Sequence, residues 1–145
     1  MLDSSAKRPM SVRKPNTRER GKLAEQLARD YAESSGWRCI GQNVYSPYGE
    51  IDLIFCHQNT LIFCEVKARQ TENFGAVTEM VSVQKQQRII LTAQHYLQLK
   101  PEFEDWDARF DVAAILWKSP VNFADLQQPN RLKYELQWIE NAFTL

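Results

Sequence analysis

Apolar positions recur every four residues near the start of the chain, at Leu23, Leu27 and Tyr31, with Ala24, Ala28 and Ala32 as a second stripe beside them. That spacing predicts an amphipathic helix over residues 19–35, ended by Ser34, Ser35 and Gly36. Residues 37–40 predict a short strand, and residues 41–49, with Asn43, Pro47 and two tyrosines, a loop. Two strand-like runs follow, 50–56 and 60–68, joined by a polar connection that predicts a hairpin. Residues 70–81, marked by Gly75, predict an exposed loop, after which Ser82 caps a helix running to about residue 99. Its apolar face is Ile89, Ile90, Ala93, Tyr96 and Leu97. Pro101 and the acidic run Glu102, Glu104, Asp105 and Asp107 close that helix and read as a solvated linker. Residues 109–117 form a strongly apolar strand, residues 120–130 an irregular loop, and residues 132–139 a less apolar strand near an edge. The order of helix, strands, hairpin, helix, strand and strand predicts an α/β fold, with a mixed central β-sheet flanked by helices.

One stretch breaks the apolar pattern. GEIDLIFCHQNTLIFCEVK, residues 49–67, carries Glu50, Asp52, Glu65 and Lys67 toward its two ends. Side chains alternate along a strand, so Glu50, Asp52, Ile54 and Cys56 share one face, and Leu61, Phe63, Glu65 and Lys67 share one face of the partner. A two-residue turn at Gln58 and Asn59 sets Asp52 across from Glu65 and Glu50 across from Lys67. The other face, Ile51, Leu53, Phe55, Ile62, Cys64 and Val66, is apolar throughout.

Composition narrows the classes. A chain of 145 residues suits one domain that buries a core without disulfides or structural metal. The 18 basic and 18 acidic residues balance, but Lys7, Arg8, Arg13, Lys14, Arg18 and Arg20 crowd the first 20. Residues 1–18 therefore read as a disordered basic arm, either a solvated tail or a phosphate-seeking segment that includes Lys14 and Arg18, ahead of a single domain over 19–145. Cys39, Cys56 and Cys64 lie in apolar stretches without metal-ligand spacing, as expected of free thiols in a reducing compartment. No apolar run is long enough to cross a bilayer, so a cytoplasmic protein with no membrane partner is expected.

Two carboxylates facing across adjacent strands repel unless a cation or proton intervenes. Mg²⁺ or Mn²⁺ suits them, because hard cations take oxygen ligands and often only one or two protein carboxylates. Asp52, Glu65 and the Val66 carbonyl would make half a shell. Lys67, on the same face, could hold an attacking water deprotonated or stabilise charge growing on a phosphate oxygen. Glu25 projects beside the alanine stripe, about 20° around the helix from Ala32, and could reach the site or be an ordinary boundary glutamate. His57 and His95 lack ligand-spaced partners and read as surface or packing residues. The inert alternative is an ion-paired strand end, Glu50 with Lys67 and Asp52 with Arg69 or Arg109.

A helical carboxylate, an acid on one strand and E-x-K on its hairpin partner resemble the PD-(D/E)XK nuclease superfamily, with its restriction-endonuclease-like core. Ile51 stands where that name would have a proline. GKLAEQLA at 21–28, Asn43, GEIDLI at 49–54, FCEVKAR at 63–69, Phe74, Gly75, Lys85, Tyr96, Leu97, RFDVAAI at 109–115 and IENAF at 139–143 together resemble the YraN-like family of bacterial proteins, predicted nucleases. The resemblance spans about residues 19–143 and is closest in function to archaeal Holliday-junction resolvases. It implies Asp52 and Glu65 as metal ligands, Lys67 as catalytic lysine and Glu25 as auxiliary carboxylate. It further implies that Lys85 and Gln84, with Arg69 near the same site, approach nucleic acid. The function expected is a metal-dependent endonuclease acting on DNA, with branched or structured sites and RNA left open; resolvase-like cutting implies a symmetric homodimer. The alternatives are a non-catalytic nucleic-acid- or partner-binding module that kept the fold, and a structural adaptor with an inert site.

Overall fold

The computed structural model describes residues 13–70 and 81–144. In chain order these form α1 (Thr17–Ser34), β1 (Arg38–Ser46), β2 (Gly49–His57), β3 (Thr60–Gln70), α2 (Val83–Gln98), β4 (Asp107–Trp117), α3 (Phe123–Gln127) and β5 (Tyr134–Phe143). The strands make one five-stranded sheet in the order β1-β2-β3-β4-β5. β3 and β4 are parallel, and the other pairs are antiparallel. This is the mixed α/β architecture expected, consistent with a restriction-endonuclease-like core. No described helix is long and apolar enough to cross a membrane.

The two principal helices cover separate apolar surfaces. Ala28 and Ala32 of α1 pack with Leu53, Phe55, Ile62, Cys64 and Ala113, while Leu23, Ala24 and Leu27 pack with Ile115, Trp117 and Val121. The alanine stripe lets α1 lie close to the sheet, and so brings Glu25 near it. Ile89 and Ala93 of α2 pack with Ile54, Leu61, Phe63, Phe110 and Val112. Ile51 joins this second cluster rather than that of Leu53 and Phe55, so the simple alternation expected along β2 breaks around Asp52. β4 is buried from Phe110 to Trp117, as a parallel-paired central strand must be when helices cover both faces.

Local chemistry sets the ends of the elements. α1 begins two residues earlier than expected because Asn16 and Glu19 form a capping box: Glu19 N–H donates to Asn16 Oδ1 at 2.8 Å, and Asn16 N–H to Glu19 Oε1 at 3.0 Å. Ahead of it, Arg13 O accepts from Phe123 N–H at 2.7 Å and the Arg13 guanidinium lies 4.6 Å from the Phe123 ring centroid. Arg13 of the expected arm thus meets Phe123, and residues 17 and 18 belong to α1; residues 1–12 lie outside the described residues, as do Phe74, Gly75 and most of the expected 70–81 loop. Ser82 caps α2 as expected, accepting from Lys85 N–H at 3.1 Å.

Two expectations need correction. Residues 41–46 are strand rather than loop: a bulge between Cys39 and Gly41 lets β1 continue along β2 to Ser46 opposite Gly49. A Cβ at Gly41 would meet Val44 Cγ2 at 2.9 Å, which is why a loop-like glycine sits inside a strand. The irregular 120–130 segment holds α3, started by a second capping box between Asn122 and Asp125.

Candidate active site

The β2–β3 hairpin turns at Gln58 and Asn59, both in left-handed backbone with φ of 48° and 61°, as a two-residue hairpin turn requires. The register is the one expected, running from His57 opposite Thr60 to Leu53 opposite Cys64. There the ladder stops. Asp52 does not pair through its backbone with Glu65; instead its carboxylate Oδ2 accepts from Val66 N–H at 2.8 Å. β2 continues with β1, β3 continues with β4, and the side chain fills the fork between them.

Glu65 is 3% exposed. Its Oε1 lies 3.6 Å from Lys67 Nζ and 3.6 Å from Lys85 Nζ, while its Oε2 is buried with no hydrogen-bond partner among the described residues. Burial, with Asp52 the next cause, pushes the Glu65 carboxyl up from 4.5 to about 7, against the pull of the two lysines. Asp52 is also raised, chiefly by burial and against its bond from Val66. The ion pairs of the inert alternative are absent among the described residues: Arg109 turns to Asp111 and Glu140, and Arg69 donates to Ala68 O. Glu65, not Glu50 or Asp52, is the lysines' partner.

Glu25 approaches from α1. Its carboxyl is raised to about 7, by burial first and by Asp52 second. Between it and β2 stands Asn43, whose backbone is left-handed at φ 51°. With its amide turned so that the NH₂ group faces the acids, Asn43 donates to Glu50 Oε1 at 2.7 Å and to Glu25 Oε1 at 3.3 Å. Sequence reasoning placed Asn43 in a loop and gave it no role; asparagine between two carboxylate elements was the available signal, since it tolerates positive φ while offering two donors.

The structure therefore brings Asp52, Glu65, Lys67 and Lys85 together, with Glu25, Glu50 and Asn43 alongside. Gln84 is exposed on the first turn of α2, Arg18 on that of α1, and Lys14 precedes α1; none makes a hydrogen bond or ion pair with the acids among the described residues. His57 stacks on Trp37 and His95 meets Tyr48 edge-on, the packing roles expected.

Among the described residues no three His, Cys, Asp or Glu side chains are arranged to hold a metal. Two carboxylates with a backbone carbonyl are still a fitting donor set for Mg²⁺ or Mn²⁺, which leave remaining positions to water and phosphate. Glu65 Oε2 supports that fit: a buried carboxylate oxygen without a donor is costly unless a cation or proton meets it, and in the metal-free protein a proton shared with the neighbouring Asp52 carboxyl does so.

RFD at 109–111 and IENAF at 139–143 serve a different purpose. Asp111 is 0% exposed and accepts from Trp138 Nε1 at 2.8 Å, Asn141 N–H at 2.9 Å and Arg109 Nε at 3.1 Å. Asn141, at φ 53°, belongs to the irregularity where β5 shifts register against β4. This acid is fully occupied in tying β5 down.

A mixed α/β protein with facing acids and two lysines at a strand fork is the class that fold and geometry define. The chain belongs to the family described as uncharacterised protein family UPF0102, the YraN-like family, whose model matches residues 24–115. It is 42% identical over 125 residues to a UPF0102 protein of Acinetobacter baumannii, covering 86% of this chain and 94% of that one. A UPF0102 protein of Vibrio parahaemolyticus is 42% identical over 127 residues, 88% of this chain and 93% of that one. One of Psychromonas ingrahamii is 40% identical over 124 residues, 86% and 88% respectively. The matched segment holds every member of the fork: Glu25, Asn43, Glu50, Asp52, Glu65, Lys67 and Lys85.

Proposed function

We propose that this protein is a Mg²⁺- or Mn²⁺-dependent endonuclease of the PD-(D/E)XK superfamily that hydrolyses phosphodiester bonds in DNA. Holliday-junction and other branched DNA are the first substrates to test. The observation that carries the reading is the strand fork, where the buried Glu65 and the half-buried Asp52 face each other, with one Glu65 oxygen lacking a donor and two ammonium groups 3.6 Å from the other. A stabilising ion pair would need only one acid; a second carboxylate beside it serves charge that arrives from outside.

Asp52, Glu65 and the Val66 carbonyl would hold the cation. When bound, a divalent cation supplies Lewis acidity toward a phosphoryl oxygen and lowers the pKa of water. Val66 N–H fixes the Asp52 carboxylate, so the ligand needs little reorganisation. Lys67 and Lys85, released from Glu65, would offer their ammonium groups to the negative charge that grows on the phosphate. Glu25, raised to about 7, can take or give a proton near neutral pH, and Asn43 orients it.

Purified protein should cut four-way, flap, duplex or single-stranded DNA with Mg²⁺ or Mn²⁺ and leave it intact in EDTA. Equal products in EDTA would refute the metal-dependent reading. A second reading draws on the double ion pair at Glu65: a nucleic-acid-binding module whose acid site is inert. It predicts DNA binding with no cleavage and no calorimetric response to either cation.

A further inference from the structure

β3 outruns its partner. After Cys64 the described residues give it a neighbour on the β4 side only, from Glu65 opposite Val112 to Gln70 opposite Trp117. Val66 N–H points away from β4 to Asp52, and backbone direction alternates along a strand, so the polar groups of Ala68 and Gln70 face the same open edge. That edge borders a groove of about 460 Å³ whose other wall is the start of α1, with Thr17, Arg20 and Gly21 facing Val66–Gln70 and Trp117.

The lining is one-sided in charge. Among the described residues it holds Arg20, Lys67 and Arg69 and no acid, although the whole chain is balanced. Arg69 Nη1 already reaches across its own backbone to Ala68 O at 2.8 Å. A Cβ built on Gly21 meets nothing within 4 Å among the described residues, so none of them requires this glycine, costly inside a helix, and it leaves the groove wall open. Lys67 belongs to both the groove and the fork, which makes the two continuous.

We propose that this groove binds the sugar–phosphate backbone of one nucleic-acid strand as it leaves the fork, with Arg20 and Arg69 on successive phosphates and the open β3 edge presenting backbone N–H groups to them. The volume is that of a small-ligand pocket, ~300–1,000 Å³. It takes a nucleotide-sized length of one strand. The inference rests on the nuclease reading for the direction of the strand, but not for its binding.

The test is fluorescence anisotropy of the full chain with a labelled single-stranded oligonucleotide in EDTA, where no cleavage occurs. Gly21→Glu, which adds bulk and negative charge in open space, should weaken binding at least ~10-fold. Arg20→Ala and Arg69→Ala should each weaken it several-fold and flatten the salt dependence by about 0.7 in log–log slope per lost phosphate contact. Gly21→Ala should bind as wild type, and thermal melts of all variants should stay close to wild type. Affinities within twofold of wild type for all of Gly21→Glu, Arg20→Ala and Arg69→Ala would overturn the assignment, as would equal loss in Gly21→Ala. Sedimentation showing a dimer that Gly21→Glu abolishes while DNA affinity is unchanged would assign the edge to a second copy instead and equally overturn it. Cleavage by Asp52→Ala and Glu65→Ala variants is scored separately, so failure of the nuclease reading does not pass for failure of the groove.

Discussion

At the residue scale, the fork is a site where folding and function pull apart. Glu65 and Glu25 are each raised to about 7 from 4.5, so the folded chain keeps protons that the unfolded chain has released. The stability this contributes is fully present below about pH 4.5 and is lost as pH rises through about 7. Metal-free protein should therefore melt at falling temperature between pH 5 and 8. Glu65→Gln should flatten that fall and melt higher than wild type at pH 8, by a few degrees for a chain of this size. A melt of Glu65→Gln below wild type at pH 8 would mean that the lysine pairing outweighs burial. Asn43 separates two effects: Asn43→Gly keeps the left-handed backbone and loses only the donors, whereas Asn43→Ala loses both. Urea denaturation should show Asn43→Ala the less stable of the two by about 1 kcal/mol. Asp111 behaves oppositely to Glu65. With every neighbour donating to it, Asp111→Ala should cost about 3–5 kcal/mol, read by the same denaturation, and no metal should restore it.

At the element scale, the hairpin carries the site. Its turn needs positive φ at Gln58 and Asn59, so the double change Gln58→Asn and Asn59→Gly should raise stability by about 0.5–1 kcal/mol in urea titrations without altering metal response. The pairing of Leu53 with Cys64 was legible from alternation and turn length, and so was the approach of Asp52 to Glu65. That the ladder ends at Leu53 was not, because strand alternation describes side-chain direction and carries no signal for two strands parting. The cue lay in Asp52 itself, a short carboxylate able to take the bond that a backbone carbonyl would otherwise accept. β1 was missed beyond residue 40 because Gly41 and Asn43 read as turn residues when no partner strand is in view. The start of α1 was misplaced by two residues, since Asn16 and Glu19 form a capping box that stands outside the apolar repeat. α2, with Ser82 ahead of an uninterrupted apolar face, was fully legible.

At the scale of the whole molecule, a sheet covered by two helices positions charge that no single element could gather. α1 brings Glu25, β1 Asn43, β2 Glu50 and Asp52, β3 Glu65 and Lys67, and α2 Lys85. Both helices pack on apolar faces that have nothing to do with the acids, so the fork can lose its carboxylates and keep the fold. This makes single substitutions interpretable. The central claim is that Asp52, Glu65 and Lys67 act together in cleavage, and the direct measurement is single-turnover hydrolysis of the preferred DNA with Mg²⁺ or Mn²⁺ by wild type and by Asp52→Ala, Glu65→Ala and Lys67→Ala. Each variant should fold and lose about 10²-fold or more in rate, with DNA binding retained by Asp52→Ala and Glu65→Ala. Cleavage at the wild-type rate by all three folded variants would contradict the account.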